Sequence, residues 1–195
     1  MARPKKVSSD QILDAVERVV VKLGAARLSI DAVAKEAGIS KSRVVLDYKS
    51  KIAMLEALID RELQQESARI ESLLESCADT PHPQLFARLK LAEQAPDDTD
   101  RAVVMAITSA TMSESSLRRK MVDWVNQDLR SLDSCAKPEI ARMFFFAVIG
   151  FNCHEWFGMA KWSEQERLSY LELIRKMYVS CSEPGAPTPL NPHKG

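Results

Sequence analysis

The sequence LSIDAVAKEAGISKSRV at residues 28–44 predicts two short helices that meet at a tight corner. Ser29 and Ser40 each stand before an apolar-patterned segment, where a side-chain oxygen can accept hydrogen bonds from the free N–H groups of a helix start. Gly38 can take the left-handed conformation that such a corner needs, and Ile39 can fill the space between the two helices. The second helix then presents its N-terminal residues outward, which suits the major groove of DNA.

The distribution of charge along the chain points to the same end. The 195 residues carry 27 Lys and Arg against 27 Asp and Glu, so the formal net charge is zero and the chain is not polybasic throughout. Residues 1–51, however, hold 11 basic against 6 acidic residues, whereas residues 52–195 hold 16 against 21. A basic front and an acidic back are typical of a protein that meets nucleic acid at one end.

Hydrophobic periodicity predicts the fold class. Apolar residues recur at intervals of three and four along nearly the whole chain, and no stretch alternates as a strand does. This pattern predicts an all-α fold of about nine helices without an internal repeat. The helices are expected at about residues 9–23, 30–37, 41–47, 51–77, 84–94, 100–112, 114–132, 137–159 and 164–181. The proline-rich residues 182–195 are expected to form a disordered tail.

Membrane and secretory classes are disfavoured. The first residues contain no apolar signal-peptide stretch, and the longest run of apolar residues and glycine, Met143–Phe151, is too short to cross a bilayer. The four cysteines lie far apart, with no Cys-x-x-Cys pair. We therefore expect a cytoplasmic protein with reduced thiols and no membrane partner.

An all-helical enzyme is the main alternative from another functional class. The chain has no glycine-rich phosphate loop, no Gly-x-Ser-x-Gly and no His-Glu-x-x-His, so no catalytic residue is expected. Cys153 and His154 are adjacent on a predicted helix and point about 100° apart, which is unsuited to joint metal ligation. The sequence therefore predicts no enzyme, no metal site and no cofactor.

A spaced pattern extends through residues 29–51. Its members are Ser29, Val33, Ala34, Ala37, Gly38, Ile39, Ser40, Lys41, Val44, Tyr48, Ser50 and Lys51. The pattern resembles the DNA-binding domain of the tetracycline-repressor (TetR) family of bacterial transcription regulators, with a Tyr where the family usually has Phe. Two further positions depart from the family: Val45 replaces a usual Tyr, and Asp47 places a carboxylate, which repels phosphate, where His or Tyr is usual.

The resemblance implies a domain organisation and a function. An N-terminal three-helix helix-turn-helix domain is expected over residues 1–51, with the start of helix four continuing to about residue 60. A C-terminal ligand-binding and dimerisation domain is expected over residues 52–181. The implied function is that of a homodimeric transcriptional repressor, released from a palindromic operator by a small apolar ligand. The departures at Val45 and Asp47 leave an alternative open, a helical dimeric interaction or ligand-binding module with weakened or lost DNA binding.

The matched positions imply two kinds of DNA contact. Lys41, Ser42 and Arg43 are expected to read base edges, and Arg43 can fork onto guanine O6 and N7, which is worth about 1–3 kcal/mol of discrimination. Phosphate contacts are expected from Ser29, Tyr48, Lys49 and Lys51, and an arm following the minor groove from Arg3, Lys5 and Lys6.

The predicted helix eight is apolar nearly all round, because seven of the chain's 12 aromatic residues lie within residues 144–162. One of its faces is rich in small residues, namely Met143, Ala147, Gly150, His154 and Gly158. The resemblance implies that helices eight and nine pair with their two-fold mates in a homodimer. Such a dimer places half-sites of a palindrome about 34–36 Å apart.

The resemblance also implies a small-molecule pocket among helices four to eight. Met and aromatic side chains adapt to varied apolar shapes, while hydroxyl and amide groups offer hydrogen bonds. Ordinary core packing is the alternative role for each candidate. The candidate lining residues are Met105, Ser109, Met112, Trp124, Phe145, Asn152 and Trp156.

Overall fold

The computed structural model describes residues 7–159 and 161–182, and within them it contains nine α-helices and no strand. The helices are α1 Ser9–Leu23, α2 Ile30–Ala37, α3 Lys41–Asp47, α4 Lys51–Leu73, α5 Pro83–Leu91, α6 Asp98–Ser113, α7 Ser115–Ser131, α8 Pro138–Trp156 and α9 Glu164–Ser182. The predicted all-α fold is therefore confirmed. None of these described helices is long and apolar enough to cross a membrane. The predicted arm at Arg3, Lys5 and Lys6 and the tail beyond Ser182 lie outside the described residues.

The helix ends follow local capping chemistry. Ser8 caps α1 in a reciprocal capping box with Gln11, so that two free N–H groups at the helix start gain partners. The α4 helix ends at Leu73 rather than near Cys77, because the chain tightens there into a single 3-10 turn over Glu75–Cys77. The α8 helix ends at Trp156, since Gly158 adopts a φ of +63° and reverses the chain.

Contacts divide the chain into two compact units. The first contains the residues up to Gln65 together with Asp97–Val122, and the second contains Glu66–Pro96 together with the residues from Asp123 onward. The division therefore falls inside α4 and inside α7. The predicted boundary at residue 51 separates a DNA-binding from a regulatory domain, and it stays a prediction. The contact-based units are a different division, since they assign α6 to the same unit as α1, α2 and α3.

The first unit is built around α1. Ile12, Val16 and Val20 follow one face of α1 and are almost completely buried among residues of α2, α3 and α4. Ala106 and Ala110 on α6 belong to the same core, and their small side chains let α6 lie close to α1. Each large side chain buried in this way contributes roughly 1.5–3 kcal/mol. The core therefore holds α1, α2 and α3 in one orientation.

The second unit has an aromatic core. Phe86 of α5, Phe144 of α8 and Tyr178 of α9 form a three-ring cluster with centroid separations of 4.5 to 5.7 Å. Phe151 stacks on Trp162 at 5.0 Å, next to the start of α9. One face of α8 supplies this core, while Met143 and other side chains of α8 remain exposed.

A buried ion pair joins α8 to α9 in the second unit. The Arg167 side chain is 6% exposed and its Nε lies 2.5 Å from Glu155 Oε1, whose own side chain is 9% exposed. The guanidinium also donates to the backbone carbonyl oxygens of Ala92 and Glu93, which follow α5. These contacts satisfy a charge that would otherwise be costly to bury, and they anchor α9 to α8 and to the end of α5.

Candidate nucleic-acid interface

The corner between α2 and α3 has the geometry that its sequence predicts. Ser29 Oγ accepts from the Ala32 N–H at 3.1 Å, and Ser40 Oγ accepts from the Arg43 N–H at 3.3 Å. Gly38 lies in the left-handed region, with φ +66° and ψ 33°. The N–H of Ile39 donates back to the Ala34 carbonyl oxygen at 3.0 Å, which closes the end of α2. Local sequence thus accounts for the presentation of α3.

The α3 helix divides into a buried and an outward face. Val44 is completely buried and anchors α3 in the core of the first unit. Because successive residues of a helix are about 100° apart, the side chains opposite Val44 form one continuous stripe. We call this stripe the outward face of α3, and it consists of Lys41, Ser42, Val45 and Leu46, all of which are exposed.

Arg43 lies at the edge of α3 and is held by the scaffold. Its Nη1 lies 2.8 Å from Asp47 Oδ1, its Nη2 donates to the Val7 carbonyl oxygen at 2.9 Å, and its side chain is 25% exposed. Asp47 Oδ2 in turn accepts from Ser9 Oγ at 2.8 Å. The hydrogen bonds from Arg43 and Ser9 lower the pKa of the Asp47 carboxyl. We call these four residues the α3–α1 clasp.

The α3–α1 clasp limits the availability of the Arg43 guanidinium for DNA. Base reading by Arg43 stays a prediction, and it requires the guanidinium to leave both Asp47 and the Val7 carbonyl oxygen. Asp47, which from sequence was expected to repel phosphate, has its charge balanced by Arg43 in the structure. The i,i+4 spacing of the pair is a signal that sequence reasoning missed. No sequence signal indicates the contacts to Val7 and Ser9, which lie 36 and 38 residues away.

Lys41 also has an acidic partner. Its Nζ lies 2.7 Å from Asp31 Oδ1, across the corner between α2 and α3. Both side chains are largely exposed, and an exposed pair of this kind contributes at most about 1 kcal/mol. Lys41 can therefore exchange the carboxylate for a DNA phosphate or base edge at small cost.

The expected phosphate contacts lie after the C-terminal end of α3, at the start of α4 and at the N-cap of α2. The Tyr48 hydroxyl donates to the Ser9 carbonyl oxygen at 3.4 Å, and burial raises its pKa. Lys51 begins α4 and donates from Nζ to the Ala26 carbonyl oxygen at 3.0 Å. Lys49 is exposed in the short link between α3 and α4. Ser29 Oγ accepts the hydrogen bond that caps α2, so a phosphate contact by its hydroxyl would have to form in addition to that bond.

The predicted small-molecule pocket draws on residues from both units. Met105, Ser109 and Met112 lie on the exposed face of α6 in the first unit. Phe145 is buried in the second unit, where Asn152 and Trp156 are partly buried along α8. The lining role of all these residues stays a prediction.

Two of the pocket candidates meet at one guanidinium in the second unit. Arg88 lies 5.6 Å from the Trp124 ring centroid and 5.7 Å from that of Phe145. It also forms ion pairs with Glu66 at 3.0 Å and with Asp128 at 2.6 Å. Burial raises the pKa of both carboxyls. The cluster therefore combines aromatic surfaces with two partly desolvated acids.

The thiol and imidazole candidates do not assemble into a site. Burial raises the pKa of the Cys153 thiol, which favours the unreactive protonated form. His154 Nδ1 lies 2.8 Å from the Gly150 carbonyl oxygen, one turn earlier on α8. Among the described residues, no three His, Cys, Asp or Glu side chains gather closely enough to hold a metal ion.

Three solved structures share the fold of this chain at low sequence identity. A tetR-family member from Streptomyces coelicolor A3 is 19% identical, with a TM-score of 0.68, over 86% of this chain and 96% of that one. A transcriptional regulator from Saccharomonospora viridis, solved in complex with choline, is 16% identical, with a TM-score of 0.69, over 86% and 94%. The multidrug binding protein EbrR, complexed with malachite green, is 18% identical, with a TM-score of 0.66, over 89% and 98%.

The family assignment rests on the N-terminal residues. A search of curated protein sequences finds no significant match to the chain. Residues 12–58 match the family model described as "Bacterial regulatory proteins, tetR family". These residues include α2, the corner and α3, the elements that present the outward face. Residues 12–58 therefore match the tetR family of bacterial regulatory proteins, and the chain shares the fold of a member of that family along most of its length.

Proposed function

We propose that this protein is a transcriptional repressor that binds a palindromic operator as a homodimer and releases it when a small molecule binds. Members of the tetR family are DNA-binding transcriptional regulators. The observation that carries the proposal is the outward face of α3. It remains exposed on a capped helix whose other side is anchored in the core by Val44. A short, rigid, unburied helix of this kind fits the major groove.

The surface of the second unit supports the homodimer. Met143 and Phe146 on α8 and Leu173 and Met177 on α9 are each more than half exposed, although α8 and α9 pack against each other. Gly150 follows about one turn after Phe146 on the same side of α8, and a Cβ added there meets no atom within 4 Å. Exposed apolar surface on two neighbouring helices is typical of a protein–protein interface, and a second copy is the partner that the family implies.

The proposed effector is a small, largely apolar molecule. The choline and malachite green complexes belong to other proteins with this fold. Trp124 and Phe145 provide aromatic surfaces in the second unit of this chain, as a small, largely apolar ligand requires. The α4 helix continues from one unit into the other, so a ligand that shifts it would change the spacing of the two α3 helices in a dimer.

A salt series on a mixed-sequence 30-base-pair duplex tests DNA binding. Phosphate contacts release counterions, so the logarithm of the association constant should fall linearly with the logarithm of salt concentration. Lys49→Ala should weaken binding to all duplexes alike and reduce the slope by about 1 for each Lys49 that contacts a phosphate. Lys161→Ala removes the same charge from an exposed position in the second unit and should leave the slope unchanged.

Two outcomes contradict the proposal. One is the absence of duplex binding by the wild type at low salt. The other is an identical slope for the wild type and Lys49→Ala together with no sequence preference. Either result favours the alternative of an interaction module that has lost DNA binding. Two contacts in the structure motivate that alternative, since Lys41 and Arg43 each face an aspartate.

A further inference from the structure

We propose that Val45 and Leu46 are specificity-determining residues that recognise the 5-methyl groups of thymine in the major groove. The inference rests on the proposed DNA-binding function and names how the sequence of the operator is read. Its starting point is the exposure of the two side chains, 42% for Val45 and 76% for Leu46. Both residues belong to α3, a helix of only seven residues whose buried side chain is Val44.

The hydrogen-bonding capacity of α3 is largely committed within the protein. Arg43 is held in the α3–α1 clasp, by Asp47 and by the Val7 carbonyl oxygen. Ser42 Oγ lies 3.0 Å from Ser40 Oγ, so the two hydroxyls share a hydrogen bond. Lys41 has its ammonium on Asp31, although that exposed contact is weak. Polar readout by α3 is therefore limited, and half of its outward face is aliphatic.

An aliphatic side chain in the major groove has one apolar partner among the base edges. The four base pairs present donors and acceptors there, and the 5-methyl group of thymine is the apolar feature. Val45 and Leu46 diverge by about 100° around the helix axis, so they would contact different base pairs. Ser42 and Lys41 lie between and beside them on the same face. The geometry thus predicts an operator with thymines under α3.

The test uses the full-length protein and duplexes enriched from a pool with a randomised central segment. The thymines that recur among the enriched duplexes are replaced one at a time by uracil, which lacks only the methyl group, in the most strongly bound duplex. At one or two positions per half-site, the replacement should weaken binding by about fourfold, the value for one lost methyl contact. Leu46→Ala or Val45→Ala should weaken binding to the duplex that contains thymine. Each variant should also lose the sensitivity to uracil at the base pair that its substituted residue contacts.

Two controls separate a loss of contact from a loss of structure. Ser42→Ala changes the same face without removing an aliphatic group, so it should keep the sensitivity to uracil. The unfolding transition of Leu46→Ala should match that of the wild type, because the truncated side chain is mostly in water. The loss of methyl recognition is then specific to the aliphatic residues.

Each failure has a distinct meaning. An enriched duplex whose affinity does not change with uracil overturns the inference and leaves the proposed function standing. The same conclusion follows if Val45→Ala and Leu46→Ala are both as sensitive to uracil as the wild type. A pool from which no duplex is enriched overturns the proposed function, and the inference with it.

Discussion

The outward face of α3 and the exposed faces of α8 and α9 both place apolar side chains in water, but their surroundings differ. On α3, two aliphatic side chains stand beside Lys41 and Ser42 on a helix of seven residues. On α8 and α9, large apolar side chains recur along two neighbouring helices of 19 residues each. A small mixed surface suits a DNA groove, whereas a broad apolar surface suits a second protein chain.

The two surfaces are also held in place by different ion pairs. Arg167 and Glu155 are almost fully buried and fasten α9 to α8. Arg43 and Asp47 remain partly exposed and fasten α3 to the start of α1. Breaking a buried pair leaves a charge in a poorly solvated site, while water replaces the partner of an exposed group. The exposed faces of α8 and α9 should therefore depend more strongly on their ion pair than the outward face of α3 does on Arg43 and Asp47.

The largest effect is expected on the mass in solution, when a charge is placed among the exposed apolar side chains of α8. Gly150→Arg should halve the mass measured by light scattering, because the new side chain meets nothing within its own chain near the Cβ but projects into the proposed dimer interface. Gln127→Arg adds the same charge at an exposed position of α7 and should leave the mass at that of the wild type. A Gly150→Arg protein of unchanged mass would exclude α8 from the proposed dimer interface.

The second prediction concerns the buried pair. Arg167→Met keeps much of the side-chain volume but leaves Glu155 buried without this cation, and it should lower the free energy of unfolding by about 3–5 kcal/mol. Arg175→Met removes a partly exposed arginine of α9 that pairs with Glu93, so its cost should stay within about 1 kcal/mol. Urea unfolding at one protein concentration measures both. Equal losses would show that burial does not set the strength of these pairs.

The smallest effect is expected at the α3–α1 clasp, and it should depend on pH. The pKa of Asp47 is lowered in the folded protein, so its ionised form stabilises the fold above the unfolded pKa of about 3.9. This contribution should be lost as the pH falls through the folded-state value. The difference in unfolding free energy between the wild type and Asp47→Asn should therefore be larger at pH 7 than at pH 3. A difference that does not change with pH would indicate that the carboxylate of Asp47 adds nothing to the clasp.

The sequence predicted the helices and their caps better than the tertiary contacts that the helices make. The start and end of α1 and α3, the caps at Ser29 and Ser40 and the left-handed Gly38 all follow from side chains within a few residues of each position. Helix ends that the prediction placed too far along, as in α4, differ because the last turn tightens into a 3-10 conformation. Such a change involves small energies and leaves no clear pattern in the sequence.

The candidate DNA-facing residues were found by pattern, but their contacts were not. Lys41 and Ser42 lie on the outward face as expected, whereas Arg43 turns toward Val7 and Asp47. The exposure of Val45 and Leu46 could have been obtained from the helical period, since both lie away from the buried Val44. The attachment of Arg43 to the start of α1 could not, because it joins residues 36 positions apart in the sequence.

The helical fold class, the corner between α2 and α3 and the basic character of the N-terminal part all follow from local sequence. These features depend on hydrogen bonds and periodicities that are complete within one or two helical turns. Tertiary structure alone decided that α6 packs against α1, that Arg167 is buried on Glu155 and that Arg43 is held in the clasp. Each of these depends on which distant segments come into contact, and the balance between burial and charge is settled only there.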